Sequence, residues 1–498
     1  YGIAWAVELL VVEILGIGAR QFIYVAIANI GLGLITQLFG EWWQGRHQLT
    51  RLPNRWHILP LLYAGFGVLL RWNTFDSWTG LSTLGVALIV IGVGKRDRKL
   101  KPLLYLGLIG VSIAAYELLV YQLMQMSGGA VGDGWIAFAT LATAIMYAYR
   151  LLSRWLTSYL RLCYQELKIF AHFHWALASV LLIAAINYPI EAHTLALATE
   201  LFLACYAIFQ GRQTDLSSPP IRGEITEAEI WVYIGIAQAV CLRYFLPDIS
   251  TVRFFLEQIR PWQAAVSCII AYSLYILPWE RWGWSKKPWQ IAAYVIPLIS
   301  LWETRIEVYS ISLLFVAGYY FFIAKITTQF RFTYISLALV NWALWRGFID
   351  LDLTDALWYI CSIGLSLLYI AQFDSQLKLP QNKPIRHGLR ILGSAGICGY
   401  ATVFHQDTVL IPGIFSAIAI FAGLALRIRA FLYVGTATFL IAAFYHLVIF
   451  ILRYPFLKWV VGLFVGIALI FIAANFESRR QQFTSLLRNT NDEFREWE

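Results

Sequence analysis

The chain has 498 residues, of which 59% are hydrophobic and only 13% charged, and its mean hydropathy is +0.64. With so few charged groups a soluble chain of 56.8 kDa lacks the polar surface to stay dispersed in water, so an ordinary globular class is excluded and lipid is the expected solvent. The net charge of +9 is accounted for by basic loops beside anionic headgroups, and no nucleic-acid partner is expected.

Runs of roughly 17 to 25 mostly apolar residues are long enough to span a bilayer. On that criterion the sequence predicts an all-α, polytopic integral membrane protein of about eighteen transmembrane helices in about nine tandem helical hairpins, both ends cytoplasmic. The first hairpins pair residues 1–18 with 22–39, 57–71 with 79–94, 103–126 with 135–151, and 171–188 with 193–210. The next pair 229–245 with 262–278 and 289–302 with 306–324. The last pair 334–349 with 355–371, 387–404 with 408–425, and 431–450 with 456–474. Residues 1–474 thus read as one transmembrane domain of repeated hairpins. Residues 475–498 read as an amphipathic cytoplasmic tail with Phe476, Phe483, Leu486 and Leu487 on its apolar side. The chain enters an apolar run at Tyr1 without a methionine, so an upstream segment is expected. Glu8, Glu13 and the lack of a basic n-region argue against a cleaved signal.

The cations are sorted by side. Of the 38 Lys and Arg, about 29 fall in or beside every second connection, the mark of loops retained in the cytoplasm. These include Lys95 to Lys101, Arg150 to Lys168, Arg281 with Lys286 and Lys287, and the tail arginines Arg479, Arg480, Arg488 and Arg495. The alternate turns are short and often acidic, with Asp76, Asp133, Glu191, Asp248, Glu303, Asp350, Asp352 and Asp407. Arg71 precedes Asp76, Arg243 precedes Asp248, and Arg346 precedes Asp350 by about one helical turn, a spacing at which each pair can close. Trp279, Trp282, Trp284 and Trp289 bracket two lysines in a loop expected to lie flat on the membrane surface. An interfacial helix is expected at 154–170, with Trp155, Leu156, Tyr159, Leu160, Leu162 and Cys163 on one face and Arg154, Arg161, Gln165 and Lys168 on the other.

Ionisable groups inside apolar spans cost roughly 2.5 to 3.5 kcal/mol and need a partner or a purpose. The candidates for an intramembrane polar site are Glu8, Glu13, Glu117, Glu200, Arg346 and His446, with Arg20 a possible counter-ion for the first two. His172 and His174 are about 200° apart on a helix and read as a solvated interfacial pair, not as haem ligands. The cysteines are scattered singly without metal or disulfide spacing. No nucleotide loop, zincin motif or nucleophile elbow occurs, so no catalytic residue, metal, cofactor or enzyme activity is expected. Gly462 with Gly466, and Gly393, Gly396 and Gly399, offer close-packing faces.

The segment Asn475-Phe476-Glu477-Ser478-Arg479-Arg480-Gln481-Gln482, followed by Ser485-Leu486-Leu487-Arg488, resembles the tail of a group of uncharacterised cyanobacterial multi-pass membrane proteins built of tandem helical hairpins. That resemblance implies a bacterial plasma or thylakoid membrane and no particular activity. Two classes of function remain. The first is a non-catalytic scaffold or assembly partner of a larger membrane complex, in contact with the bilayer and other membrane subunits. The second is a transporter or channel for a small solute or ion that uses the intramembrane carboxylates, a reading that wants helix interruptions at matching positions. Gly31-Leu32-Gly33, Pro297 and Pro412 do not recur in that way.

Overall fold

In the computed structural model every regular element among the described residues is helical. The structure describes residues 2–14, 16, 22–48, 52–212, 225–246, 250–408, 410–454, 456, 458–468 and 470–471. They divide into two units, 1–258 with 278–289 and 259–277 with 290–498.

The first unit opens with α1 (Gly2–Ile14), α2 (Phe22–Arg46), α3 (Arg55–Leu70), α4 (Thr79–Gly94) and α5 (Lys101–Gln125). It continues through α6 (Val131–Leu151), α7 (Ser153–Leu160), α8 (Tyr164–Ala185), α9 (His193–Gln210), α10 (Glu227–Cys241) and α11 (Ser250–Ile259). The second holds α12 (Gln263–Ile276), most of α13 (Lys286–Glu303), α14 (Ser310–Thr327) and α15 (Arg331–Asp350). Then follow α16 (Ala356–Phe373), α17 (Lys383–Phe404), α18 (Leu410–Leu426) and α19 (Arg429–Arg453), with a last helical stretch at Lys458–Ala468. Every apolar run read from the sequence contains one of these helices. Eight of them, α2, α5, α6, α8, α9, α14, α16 and α19, are long and apolar enough to cross a membrane.

Helix ends follow local chemistry. Pro102 and Pro384 stand in the first turns of α5 and α17, where a missing N–H costs nothing. The Thr226 hydroxyl accepts the Glu229 N–H at 3.2 Å at the start of α10. Asp133 does more. Its Oδ2 accepts from the Ala130 N–H at 3.2 Å, and its Oδ1 accepts from the Glu191 and Ala192 N–H groups at 2.9 Å, tying the start of α6 to the turn between α8 and α9. Asp133→Ala orphans three donors, so a loss of about 2 kcal/mol is expected in thermal unfolding, with faster amide exchange at 191–192. Unchanged exchange there would contradict the role given to this carboxylate.

The packing departs from the hairpins read in the sequence. The largest interfaces between neighbouring helices are α2 with α3, α4 with α5, α6 with α8, α9 with α10, α14 with α15, α16 with α17, and α18 with α19. All of these pairs are joined through basic connections. The pairs read as hairpins, such as α3 with α4 or α5 with α6, meet over less surface. The structural unit is therefore shifted by one helix. Glycine accounts for the close approach in five of these seven pairs, all but α6 with α8 and α14 with α15, because bare backbone permits close contact. A Cβ on Gly94 would lie 2.8 Å from the Leu104 nitrogen and one on Gly107 3.0 Å from the Ala87 oxygen, so α4 and α5 touch backbone to backbone.

Other expectations are also corrected. The helix expected at 154–170 stops at Leu160, where Arg161 turns left-handed (φ 55°), and residues from Tyr164 on belong to α8. The tryptophan loop packs onto its own unit. Trp279 stacks on buried Trp289 at 3.6 Å, and Trp284 Nε1 donates to the Ile208 oxygen at 2.8 Å. The ten-residue α11 was missed because it is too short to register in a search for spans. A Cβ on Gly462 or Gly466 would meet nothing within 4 Å among the described residues. The tail read at 475–498, with its arginines, lies outside the described residues, as do Arg20 and Asp248.

The core of the first unit lies among α5, α6, α8 and α9, where Ile136, Met146, Leu167, Leu182 and Leu203 are fully buried. That of the second is built on α12 to α15 around Leu313, Val316, Tyr320 and Ile323. There the Tyr320 hydroxyl donates to the Tyr294 oxygen at 2.6 Å, and the Tyr319 hydroxyl to the Ala293 oxygen at 2.9 Å. Each buried phenol thus satisfies its polar end on the backbone.

Candidate functional site

Of the six candidates, Glu117 has the most developed surroundings. Thr79, Ser82 and Thr83 fall on one face of α4, which packs between α3 and α5. Arg71, just past the end of α3, reaches across that face. Its Nη1 donates to the Thr79 oxygen at 2.6 Å and to Ser82 Oγ at 2.5 Å, and its Nη2 donates to Thr83 Oγ1 at 2.5 Å. The Thr83 hydroxyl in turn donates to the Glu117 carboxylate, which lies 3.8 Å from Arg71 as an ion pair. The network is charge-balanced and joins three helices. It replaces the expected pairing of Arg71 with Asp76, whose Oδ1 accepts from the Trp78 N–H instead, at 2.9 Å.

Arg346 also turns away from its sequence neighbour. Its guanidinium donates to the Arg305 and Ile306 oxygens at 3.0 and 3.1 Å, closing the turn after α13 and not pairing with Asp350. Glu200 on α9 is 5% exposed and has no hydrogen-bond or ion-pair partner among the described residues, although adjacent Thr199 pairs with the Thr140 hydroxyl at 2.8 Å. His446 is half-buried on α19 beside Tyr445. Glu13 is exposed on α1, and the Glu8 side chain lies outside the described ones. Within each unit no two of the candidates' described side chains are bonded to each other: Glu13, Glu117 and Glu200 sit on α1, α5 and α9 of the first unit, and Arg346 and His446 on α15 and α19 of the second.

A buried carboxylate without a partner is destabilising, and a neutral amide of the same shape is less so. Glu200→Gln is therefore expected to hold or raise the unfolding temperature. A drop of several degrees would mean that the carboxylate is engaged.

The histidine pair differs from expectation. His174 is 3% exposed, with Nδ1 at 2.9 Å from the Phe170 oxygen, whereas His172 stacks on Trp231 at 4.4 Å and meets the Tyr206 hydroxyl at 3.2 Å. Neither is simply solvated, because α8 packs its first turns against α6 and the Trp231 ring of α10. Among the described residues no three His, Cys, Asp or Glu side chains are grouped to hold a metal.

Sequence reasoning missed the polar groups along the basic connections. Glu166 binds Lys101 at 2.5 Å, accepts from the Tyr105 hydroxyl at 2.7 Å and caps its own helix through the Cys163 N–H at 2.7 Å. Glu229, 4% exposed, accepts from Ser285 Oγ at 2.8 Å and lies 4.0 Å from Lys287. Buried Asp374 accepts from the Tyr334 hydroxyl, and buried Arg390 donates to Gln372 at 3.1 Å. Glu166 and Glu229 each stand three residues after a helix-capping position, a signal present in the sequence.

The same side carries a polar cleft of about 730 Å³ between the end of α2, Lys95 with Arg96, and α7. Lys95 lies 3.4 Å from Glu41, donates to the Tyr159 hydroxyl at 3.1 Å and sits over that ring at 4.5 Å. Arg96 sends its two Nη groups to the Trp56 and Gln37 oxygens at 2.8 and 2.7 Å. Burial lowers the Arg96 pKa from its ordinary value, and the charge of Glu41 opposes the shift. Comparison with protein-family models, with curated proteins and with solved structures gives no match to this chain.

Proposed function

We propose that the chain is a non-catalytic multi-pass membrane protein that serves as a scaffold or assembly partner of a larger membrane complex. The observation that carries this reading is the division of its polar and apolar surface. Polar side chains between helices, such as Arg71 with Glu117, are used up in joining one helix to the next, while large apolar side chains face outward. Ile183 (64% exposed), Leu392 (62%), Phe421 (70%) and Phe444 (68%) need an apolar solvent or a partner. The eight long apolar helices support insertion, and the cation-rich connections support a cytoplasmic location for that side. The tail resemblance favours a cyanobacterial plasma or thylakoid membrane.

Transport is the second reading, favoured by buried and unpartnered Glu200. Within the first unit Glu117 is engaged by Thr83 and Arg71 and is not bonded to Glu200, which weighs against it, because a path for ions needs polar groups that meet.

Two experiments test the proposal. Cysteines placed in Lys95–Lys101 and in Ser127–Gly134 are expected to react with an impermeant maleimide from opposite faces; labelling of both from one face overturns the topology. Purification in mild detergent followed by mass spectrometry is expected to recover a stoichiometric membrane companion. A lone species that moves a solute after reconstitution would favour transport.

A further inference from the structure

We propose that the cleft between α2, Lys95–Arg96 and α7 binds the phosphodiester headgroup of an anionic phospholipid, an inference that rests on the membrane reading above. Three cations, Lys95, Arg96 and Arg161, line the cleft with one carboxylate, Glu41. Glu41 is matched by Lys95 at 3.4 Å. The Arg96 Nη donors end on neutral carbonyl oxygens, and Arg161 is exposed with no polar partner among the described residues. Two positive charges are thus left without a carboxylate, in a cleft large enough for a headgroup. A singly charged phosphodiester is complementary to that excess.

The aromatic floor distinguishes a lipid from free phosphate. Trp155 and Tyr159 stack at 5.2 Å and 4°, both well exposed, and Leu151 and Leu152 stand exposed just before α7. Flat rings and leucines beside cations form a surface with a wet edge for the phosphate and an apolar edge for the glycerol and upper acyl carbons. Arg161 also adopts φ 55°, a backbone conformation in which glycine is unstrained. Arg161→Gly therefore removes the charge while easing the backbone, which separates a binding role from a structural one.

The full chain, purified in detergent, is titrated with phosphatidylglycerol, phosphatidylcholine and inorganic phosphate, with bound species counted by native mass spectrometry. One tightly held phosphatidylglycerol is expected, with weaker phosphatidylcholine and no retained phosphate. R161G should weaken phosphatidylglycerol binding about fivefold and unfold at or above the parent temperature. R98Q is the control: Arg98 is exposed on the same connection but does not line the cleft, and its loss should leave binding unchanged. Equal weakening by R98Q means diffuse charge attraction and overturns the site. Equal binding of the two lipids, or displacement of phosphatidylglycerol by phosphate, overturns it as well. Incorporation into phosphatidylcholine vesicles tells the two readings apart. Entry without any preference for phosphatidylglycerol sinks the headgroup site alone, whereas failure to enter any vesicle sinks the membrane reading and the site together.

Discussion

Replacing Arg71 with methionine is expected to lower stability by about 3 kcal/mol, while adding Glu117→Leu to the same chain restores most of the loss. Arg71 alone bridges α3 to three acceptors on α4 and to Glu117 on α5. Its removal leaves the partly buried Glu117 carboxylate with the Thr83 hydroxyl as its one remaining hydrogen-bond partner among the described residues. The larger part of the cost is therefore an uncompensated ion, not the lost attraction. When both members go, no ion is left in the interface, the Ser82 and Thr83 hydroxyls keep the Thr79 oxygen as acceptor, and most of the penalty disappears. Intrinsic tryptophan fluorescence during thermal unfolding in detergent measures all four chains of the double-mutant cycle. A coupling of at least about 1 kcal/mol is expected for groups in contact. Strictly additive losses would show that Arg71 and Glu117 act independently and would remove the network as the link among α3, α4 and α5.

Which parts of this arrangement the sequence displays depends on the range of the interaction. Helices are legible because an apolar run of span length is a local property, and each such run is helical here. Partners across helices are not local. Arg71 and Asp76 are neighbours in sequence, but α3 ends at Leu70 and the turn carries Asp76 back toward its own backbone, leaving the guanidinium to Ser82 and Thr83. Arg346 likewise finds carbonyl groups after α13 and not Asp350. Glu166 and Glu229 were visible as helix-start residues, yet their second role as counter-ions to Lys101 and Lys287 required knowledge of which connections fold onto which helices. The end of α7 was hidden for another reason: Arg161 adopts a left-handed conformation that its side chain gives no reason to expect.

Glycine contacts accompany most of the helix pairs joined across the basic connections, and they yield a second large effect with an internal control. Gly393, Gly396 and Gly399 recur at equal spacing on α17 and look alike in the sequence. In the fold they differ. A Cβ on Gly393 would lie 2.9 Å from the Gly364 oxygen, and one on Gly364 2.9 Å from the Gly393 oxygen, whereas one on Gly399 would meet nothing within 4 Å among the described residues. At Gly393 the nearest obstructing atom is the Gly364 backbone oxygen on α16, which cannot rotate away, with Leu368 side-chain carbons next at 3.1 Å, so Gly393→Ala must push α16 from α17 at a cost of about 1 to 3 kcal/mol. At Gly399 the same substitution meets no neighbour among the described residues and gains helix propensity, with stability expected to rise by up to about 1 kcal/mol. Opposite signs for one chemical change, read from paired unfolding curves, are the signature of close backbone contact between α16 and α17. Equal effects at the two positions would mean that α17 presents these glycines to a different surface, and the assignment of the structural unit to helices joined across the basic connections would fall with it.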